Sequence, residues 1–243
     1  MDIYLAVVGF FIGEWILQKA VVKLLCRYSG FFRKEGFWRR GFAGQFVMAF
    51  FSLAMMGLLG FGDEFGLTLR NVDTSLWLLL LLAPFAVFYS LGAYLFIKKN
   101  KGAISMEWIK NPSDRKGTIF YCFTMNGIGE ELFFRGLLQG SLSTGLTIFI
   151  PLGSFNLMYS TIIVSILFIF VHFENVINKD ETKGEFFLNL PYRVVIAFIL
   201  GITFQITGSL LAPIIIHNIS NGFSIIAAWQ ATKNETNRPS YEG

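Results

Sequence analysis

Apolar residues run along this chain in blocks of about 17 to 25, the length that carries an α-helix across a bilayer, and the charges fall in the gaps between blocks. The pattern predicts spans at about Ile3–Leu25, Phe42–Leu59, Leu76–Ile97, Cys122–Leu142, Asn156–His172, Pro191–Ile206 and Leu210–Trp229. Thr207-Gly208-Ser209 divides the last two, because the apolar run from Leu190 to Gln230 is too long for one crossing. The expected fold class is therefore all-α, a polytopic helical membrane protein of about seven transmembrane helices.

Charge then orients the spans. The basic, aromatic stretch from Arg27 to Arg40 suits a cytoplasmic interfacial loop, as does the stretch holding Lys98, Lys99, Lys101, Lys110, Arg115 and Lys116. The loop with Asp63, Glu64, Arg70 and Asp73 carries little positive charge and belongs outside. So does the uncharged Ser141–Phe155 segment, read as a turn broken by Pro151 and Gly153. The loop from Asn178 to Glu185 is of mixed charge and orients nothing. This places the N-terminus outside and the C-terminus in the cytoplasm, in what is expected to be the cell membrane. One membrane domain is expected over residues 1–230, its chemistry-bearing core at about 117–230, followed by a polar, disordered cytoplasmic tail at 231–243.

Composition agrees: 54% of the 243 residues are hydrophobic and 15% charged, with a mean hydropathy of +0.57. The net charge of +4 does not argue for nucleic acid, since the basic residues sit where charge sets membrane orientation. Cys26 and Cys122 stand in unrelated contexts, with neither a disulfide framework nor metal-ligand spacing. The N-terminus lacks the basic region of a cleavable signal peptide, so the first span is expected to stay on the protein.

Against this background the stretch Gly127-Ile128-Gly129-Glu130-Glu131-Leu132-Phe133-Phe134-Arg135-Gly136 stands out. Each ionisable group at membrane depth costs about 2.5–3.5 kcal/mol on insertion scales. Glu131 and Arg135 are four apart and share a helix face, where they can pair; Glu130 points about 100° away. Desolvated and beside a like charge, Glu130 is in the setting from which a carboxylate works as a base at neutral pH. A purely structural salt-bridge cluster is the other reading. Glu14, near the middle of the first span, must likewise find a partner or water inside the bundle.

The chain has two histidines, each in or at the end of an apolar run. His172 closes Phe168-Ile169-Phe170-Val171-His172, and His217 shares a face with Asn221 one turn on. A base, a second acid or base, and oxyanion donors are the parts needed to hydrolyse an acyl bond. Glu130, His172 and His217 can meet only at similar depth. This requires the fourth embedded stretch to start near Cys122, with the residues before it forming an interfacial entry, and the fifth helix to run on past His172 towards Ile177.

Glu130-Glu131 with Arg135, Phe168 with His172, and His217 with Asn221 resemble the E-E-x-x-x-R, F-x-x-x-H and H-x-x-x-N motifs of the CPBP (ABI) family of intramembrane glutamic proteases. That family includes CAAX-prenyl endopeptidases and bacteriocin-processing or self-immunity proteins. The resemblance covers roughly Ile119 to Trp229; the first three spans match it only in general character. It implies metal-independent peptide hydrolysis, without a cofactor, on a membrane-associated or hydrophobic substrate, at a site inside the bundle and open to the cytoplasm. By the resemblance, Glu130 and His172 activate water, His217 and Asn221 stabilise the oxyanion, and Glu131 and Arg135 support them. Two competing readings are a catalytically silent immunity or regulatory protein and a zinc protease. Two histidines and a glutamate are legitimate zinc ligands, but the H-E-x-x-H pairing is missing.

Overall fold

A computed structural model describes residues 3–33, 37–99, 112–178 and 181–232. Its order is α1 (Ile3–Tyr28), α2 (Gly30–Arg33), α3 (Phe37–Leu59), a 3₁₀ turn (Asp63–Phe65), α4 (Val72–Lys99), α5 (Pro112–Thr124), α6 (Asn126–Glu131), a π-helix (Leu132–Gln139), α7 (Gly140–Gly145), β1 (Phe149–Leu152), β2 (Phe155–Met158), α8 (Tyr159–Val171), α9 (Glu174–Ile177), α10 (Lys183–Thr207) and α11 (Leu211–Thr232). Six helical stretches among the described residues are long and apolar enough to cross a membrane. They are the first, second, third, fifth, sixth and seventh of the expected spans. The fold is that of an all-α polytopic membrane protein. The expected basic residues Lys34, Lys101 and Lys110 and the tail from residue 233 lie outside the described residues.

The fourth expected span is a composite. α5 ends at Thr124, the chain bends at Met125, α6 supplies one and a half turns, and the ladder then widens into the π-helix before α7. The bend lies close to Cys122, where the sequence pattern places the start of the embedded stretch. All eight π-helical residues are buried, Arg135 and Gln139 included. This segment is the centre of the molecule: Leu132, Phe133, Phe134, Leu137 and Leu138 form one apolar cluster with Val7, Met48, Met56, Val164, Phe168, Ala197 and Phe204 from α1, α3, α8 and α10.

Lipid tails are as apolar as leucine, so helices in a membrane are held by close packing rather than by escape from water. Glycines allow that closeness here. A Cβ at Gly129 would lie 2.5 Å from the Gln45 carbonyl oxygen, and one at Gly140 would lie 2.5 Å from that of Glu64.

The helical stretch carrying His172 runs on to Ile177 as expected, but its regular winding stops at Val171, and two other expectations change. His172 and Phe173 keep helical dihedrals (φ −63°, ψ −16° and φ −67°, ψ −19°), and the separate turn α9 reaches Ile177. The His172 side chain bonds back to the Phe168 carbonyl, a contact that competes with the helix ladder. α10 begins at Lys183, not Pro191: Thr182 and Glu185 form a capping box, and Pro191 is accommodated within the helix. Finally, the uncharged turn holds an antiparallel hairpin, Phe149 opposite Met158 through Leu152 opposite Phe155, with Gly153 at φ +65°. The break between α10 and α11 falls where expected, at Gly208, whose φ of +60° makes it the left-handed cap of α10.

Candidate active site

Glu130 and Glu131 end α6, and α11 brings His217 against both. His217 Nδ1 is 2.7 Å from Glu131 Oε1. A carboxylate oxygen only accepts, so this bond puts the proton on Nδ1 and aims Nε2 the other way. In that direction lies Glu130 Oε2, 3.7 Å from Nε2, too far for a direct hydrogen bond. Glu130 Oε2 has no hydrogen-bond partner among the described residues.

Behind Glu131 lies Arg135. Its Nε is 3.3 Å from Glu131 Oε2, both side chains being fully buried, and its Nη2 donates to the Ala197 carbonyl at 3.2 Å. The guanidinium also lies over the Phe168 ring, 4.8 Å from its centroid. The Glu130 side chain retains 15% exposure where Glu131 has none, so the two adjacent carboxylates occupy different surroundings.

Phe168 joins His172 to this group. Its ring centroid lies 4.7 Å from that of His172 and 5.8 Å from that of His217, and Phe134 meets it edge-on at 5.1 Å. His172 Nδ1 donates to the Phe168 carbonyl at 2.8 Å, leaving Nε2 as the free nitrogen. Among the described residues no hydrogen bond joins His172 to Glu130. The histidine facing Glu130 directly is His217. Asn221 is half-buried one turn beyond His217, and its side chain makes no hydrogen bond among the described residues.

Three polar residues at this site were not singled out from the sequence. Gln45 of α3 donates through Nε2 to Glu130 Oε1 at 2.8 Å and accepts from the Glu130 backbone N–H at 3.1 Å. Asn126 accepts from Tyr121 Oη at 2.7 Å and from Gln45 Nε2 at 3.4 Å. Asn218 accepts from the Gly127 N–H at 2.7 Å and donates to the Thr124 carbonyl at 3.2 Å, pinning the bend before α6. The eighty-odd residues separating Gln45 from Glu130 hide that pairing from any local pattern. Glu14 is buried as expected, and its Oε1 has no hydrogen-bond partner among the described residues. Among the described residues no three His, Cys, Asp or Glu side chains are grouped to hold a metal ion. An apolar cavity of about 120 Å³, lined by Phe42, Phe46, Ala49, Met125 and Ile128, abuts Gln45 and Gly129.

Fold and site together define an integral membrane protein with a carboxylate–histidine cluster buried among its helices. Residues 115–223 match a family model described as Rce1-like, Type II CAAX prenyl endopeptidase Rce1-like. The match bears out the family resemblance carried by the three motifs, all of which lie inside it. The kind of activity that comes with this family is a protease of the CAAX type, acting on a membrane-associated peptide or protein. No curated protein and no solved structure matches the chain.

Proposed function

We propose that this protein is an intramembrane glutamic endopeptidase in which Glu130 activates water against a peptide bond of a membrane-associated substrate. The observation that carries the proposal is the chain Arg135–Glu131–His217, ending in an imidazole nitrogen 3.7 Å from a Glu130 oxygen that has no hydrogen-bond partner among the described residues. In this mechanism Glu130 Oε2 removes a proton from a water molecule, whose oxygen attacks the scissile carbonyl carbon. His172 Nε2 accepts the water's second hydrogen and so aims the attacking lone pair. The carbonyl oxygen becomes an oxyanion, stabilised by Asn221 and by His217. With Nδ1 donating to Glu131, His217 donates through Nε2 as an imidazolium, and Glu131 supplies the counter-charge. Glu130 then delivers its proton to the leaving amine, the C–N bond breaks, and the enzyme returns to its starting state. Arg135 holds Glu131 in place. No step requires a metal.

The substrate is proposed to be a hydrophobic or C-terminally lipidated, CAAX-like peptide. It would enter from the end of the bundle where α4 ends and α5 begins, which basic residues mark as cytoplasmic, with the C-terminus on that side. The test uses purified protein in nanodiscs and an internally quenched peptide ending in a farnesylated CAAX sequence. Cleavage that survives exhaustive chelation and falls at least about 10³-fold in Glu130→Gln is expected. Equal turnover by wild type and Glu130→Gln would refute the mechanism, and metal-dependent cleavage would favour a zinc protease.

A further inference from the structure

We infer that Gln45, on a helix outside the matched stretch, is a positioning residue that selects which oxygen of Glu130 acts as the base. The inference rests on the glutamic-protease reading above. A carboxylate has two equivalent oxygens, and a base free to rotate spends its time in many orientations. Here one amide engages the same glutamate twice: Gln45 Nε2 donates to Oε1 at 2.8 Å, and Gln45 Oε1 accepts from the Glu130 backbone N–H at 3.1 Å. The second contact fixes the amide relative to the helix, and the first fixes the carboxylate relative to the amide. Oε1 is thereby occupied. Oε2 has no hydrogen-bond partner among the described residues, and it is the oxygen that faces His217.

The direction of the amide is itself determined. Asn126 Oδ1 accepts from Tyr121 Oη at 2.7 Å and lies 3.4 Å from Gln45 Nε2. Reversing the Gln45 amide would set oxygen against both Asn126 Oδ1 and Glu130 Oε1, and nitrogen against a backbone N–H. All three contacts therefore require the observed orientation. The clamp also depends on how closely α3 approaches α6. At Gly129 a Cβ would lie 2.4 Å from Gln45 Oε1 and 2.5 Å from the Gln45 carbonyl oxygen, so only glycine lets the two backbones close onto the amide. Gln45 is itself buried, leaving it little room to leave this geometry.

The decisive variant is Gln45→Met, which keeps the volume and loses both hydrogen bonds. With the farnesylated quenched peptide as probe, kcat is expected to fall about 10–100-fold with KM within about twofold, the mark of lost orientation rather than lost binding. Retention of kcat within about threefold by a correctly inserted Gln45→Met protein would overturn the inference. Should that variant fail to fold, Gln45→Glu keeps the shape and polarity but sets an acceptor against Oε1. The same loss is expected, and full kcat would overturn the inference. If wild-type protein leaves the peptide intact, the function proposed above fails for that probe, and Gln45 is judged without turnover. The infrared carboxyl bands of Glu130, identified by subtraction of Glu130→Gln, are expected to shift in Gln45→Met. An unmoved band would refute the clamp.

Discussion

Glu131 is the residue at which stability and catalysis can be pulled apart. Replacing it by glutamine keeps the shape and an acceptor for His217 Nδ1 but removes the charge facing Arg135. Both side chains are fully buried, and Arg135 Nε and Nη1 have no hydrogen-bond partner to fall back on among the described residues. Its remaining contacts are the Ala197 carbonyl and the Phe168 ring. Leaving one member of a buried pair uncompensated costs about 3–5 kcal/mol, and the nearby Glu130 carboxylate argues for the lower figure. At about 2–4 °C per kcal/mol for a chain of this size, the midpoint of thermal unfolding should drop by roughly 6–12 °C. The double variant Glu131→Gln/Arg135→Met removes the orphaned charge while filling its volume, and should recover most of that loss. Activity should behave differently. Without the Glu131 charge the imidazolium form of His217 is less favoured, and both variants should lose up to about 10⁴-fold in kcat, the loss seen when a carboxylate orienting a catalytic histidine is neutralised. Thermal unfolding followed by intrinsic fluorescence in nanodiscs, with cleavage of the farnesylated peptide measured on the same samples, tests both halves. A double variant as unstable as the single one would refute the argument from buried charge. A double variant with full turnover would show that Glu131 has no catalytic part, and Glu131→Gln abolishing hydrolysis while Glu130→Gln spares it would reverse the two carboxylates.

Gly129→Ala should push α6 from α3, because the new methyl would meet backbone as well as side-chain oxygen of Gln45; kcat should fall at least about 10-fold, and unchanged turnover would contradict the close approach. Asn218→Ala strips partners from the buried Gly127 N–H and from the Thr124 carbonyl, and should destabilise the protein by about 1–3 kcal/mol, seen as a lower unfolding midpoint. Asn221→Ala, at a half-buried position whose side chain makes no hydrogen bond among the described residues, should leave that midpoint within about 2 °C while lowering kcat about 10²–10³-fold, as loss of an oxyanion donor does. Comparison of membrane peptidomes from cells carrying wild-type protein or Glu130→Gln should reveal fragments made only by the former; identical peptidomes would favour a silent immunity or regulatory protein.

The polar clusters in the apolar pattern were legible because charge in a membrane is costly enough to be rare. Glu130, Glu131, Arg135 and His217 were singled out on that ground, and the structure brings them together. Six of the expected spans were legible for the same reason that hydropathy works at all, since backbone in lipid must satisfy its own hydrogen bonds within helices. The capping box at Thr182 and Glu185 was equally present in the sequence, but the apolar run that starts near Pro191 masked it.

Tertiary structure alone decided how the cluster is wired. Helical arithmetic assumes one uniform winding, whereas the stretch from Pro112 to Gly145 bends at Met125 and widens at Leu132 to fit the side chains around it. No local pattern specifies that His217 spans both glutamates, that His172 packs against the Phe168 ring that also meets His217, or that Gln45 holds Glu130 from a distant helix. Those contacts depend on the depth and rotation of one helix against another, set by close packing at positions such as Gly129 and Gly140. The sequence by itself determined that costly polar groups would be buried in a helical membrane protein; which atom of each faces which partner followed only from the packing.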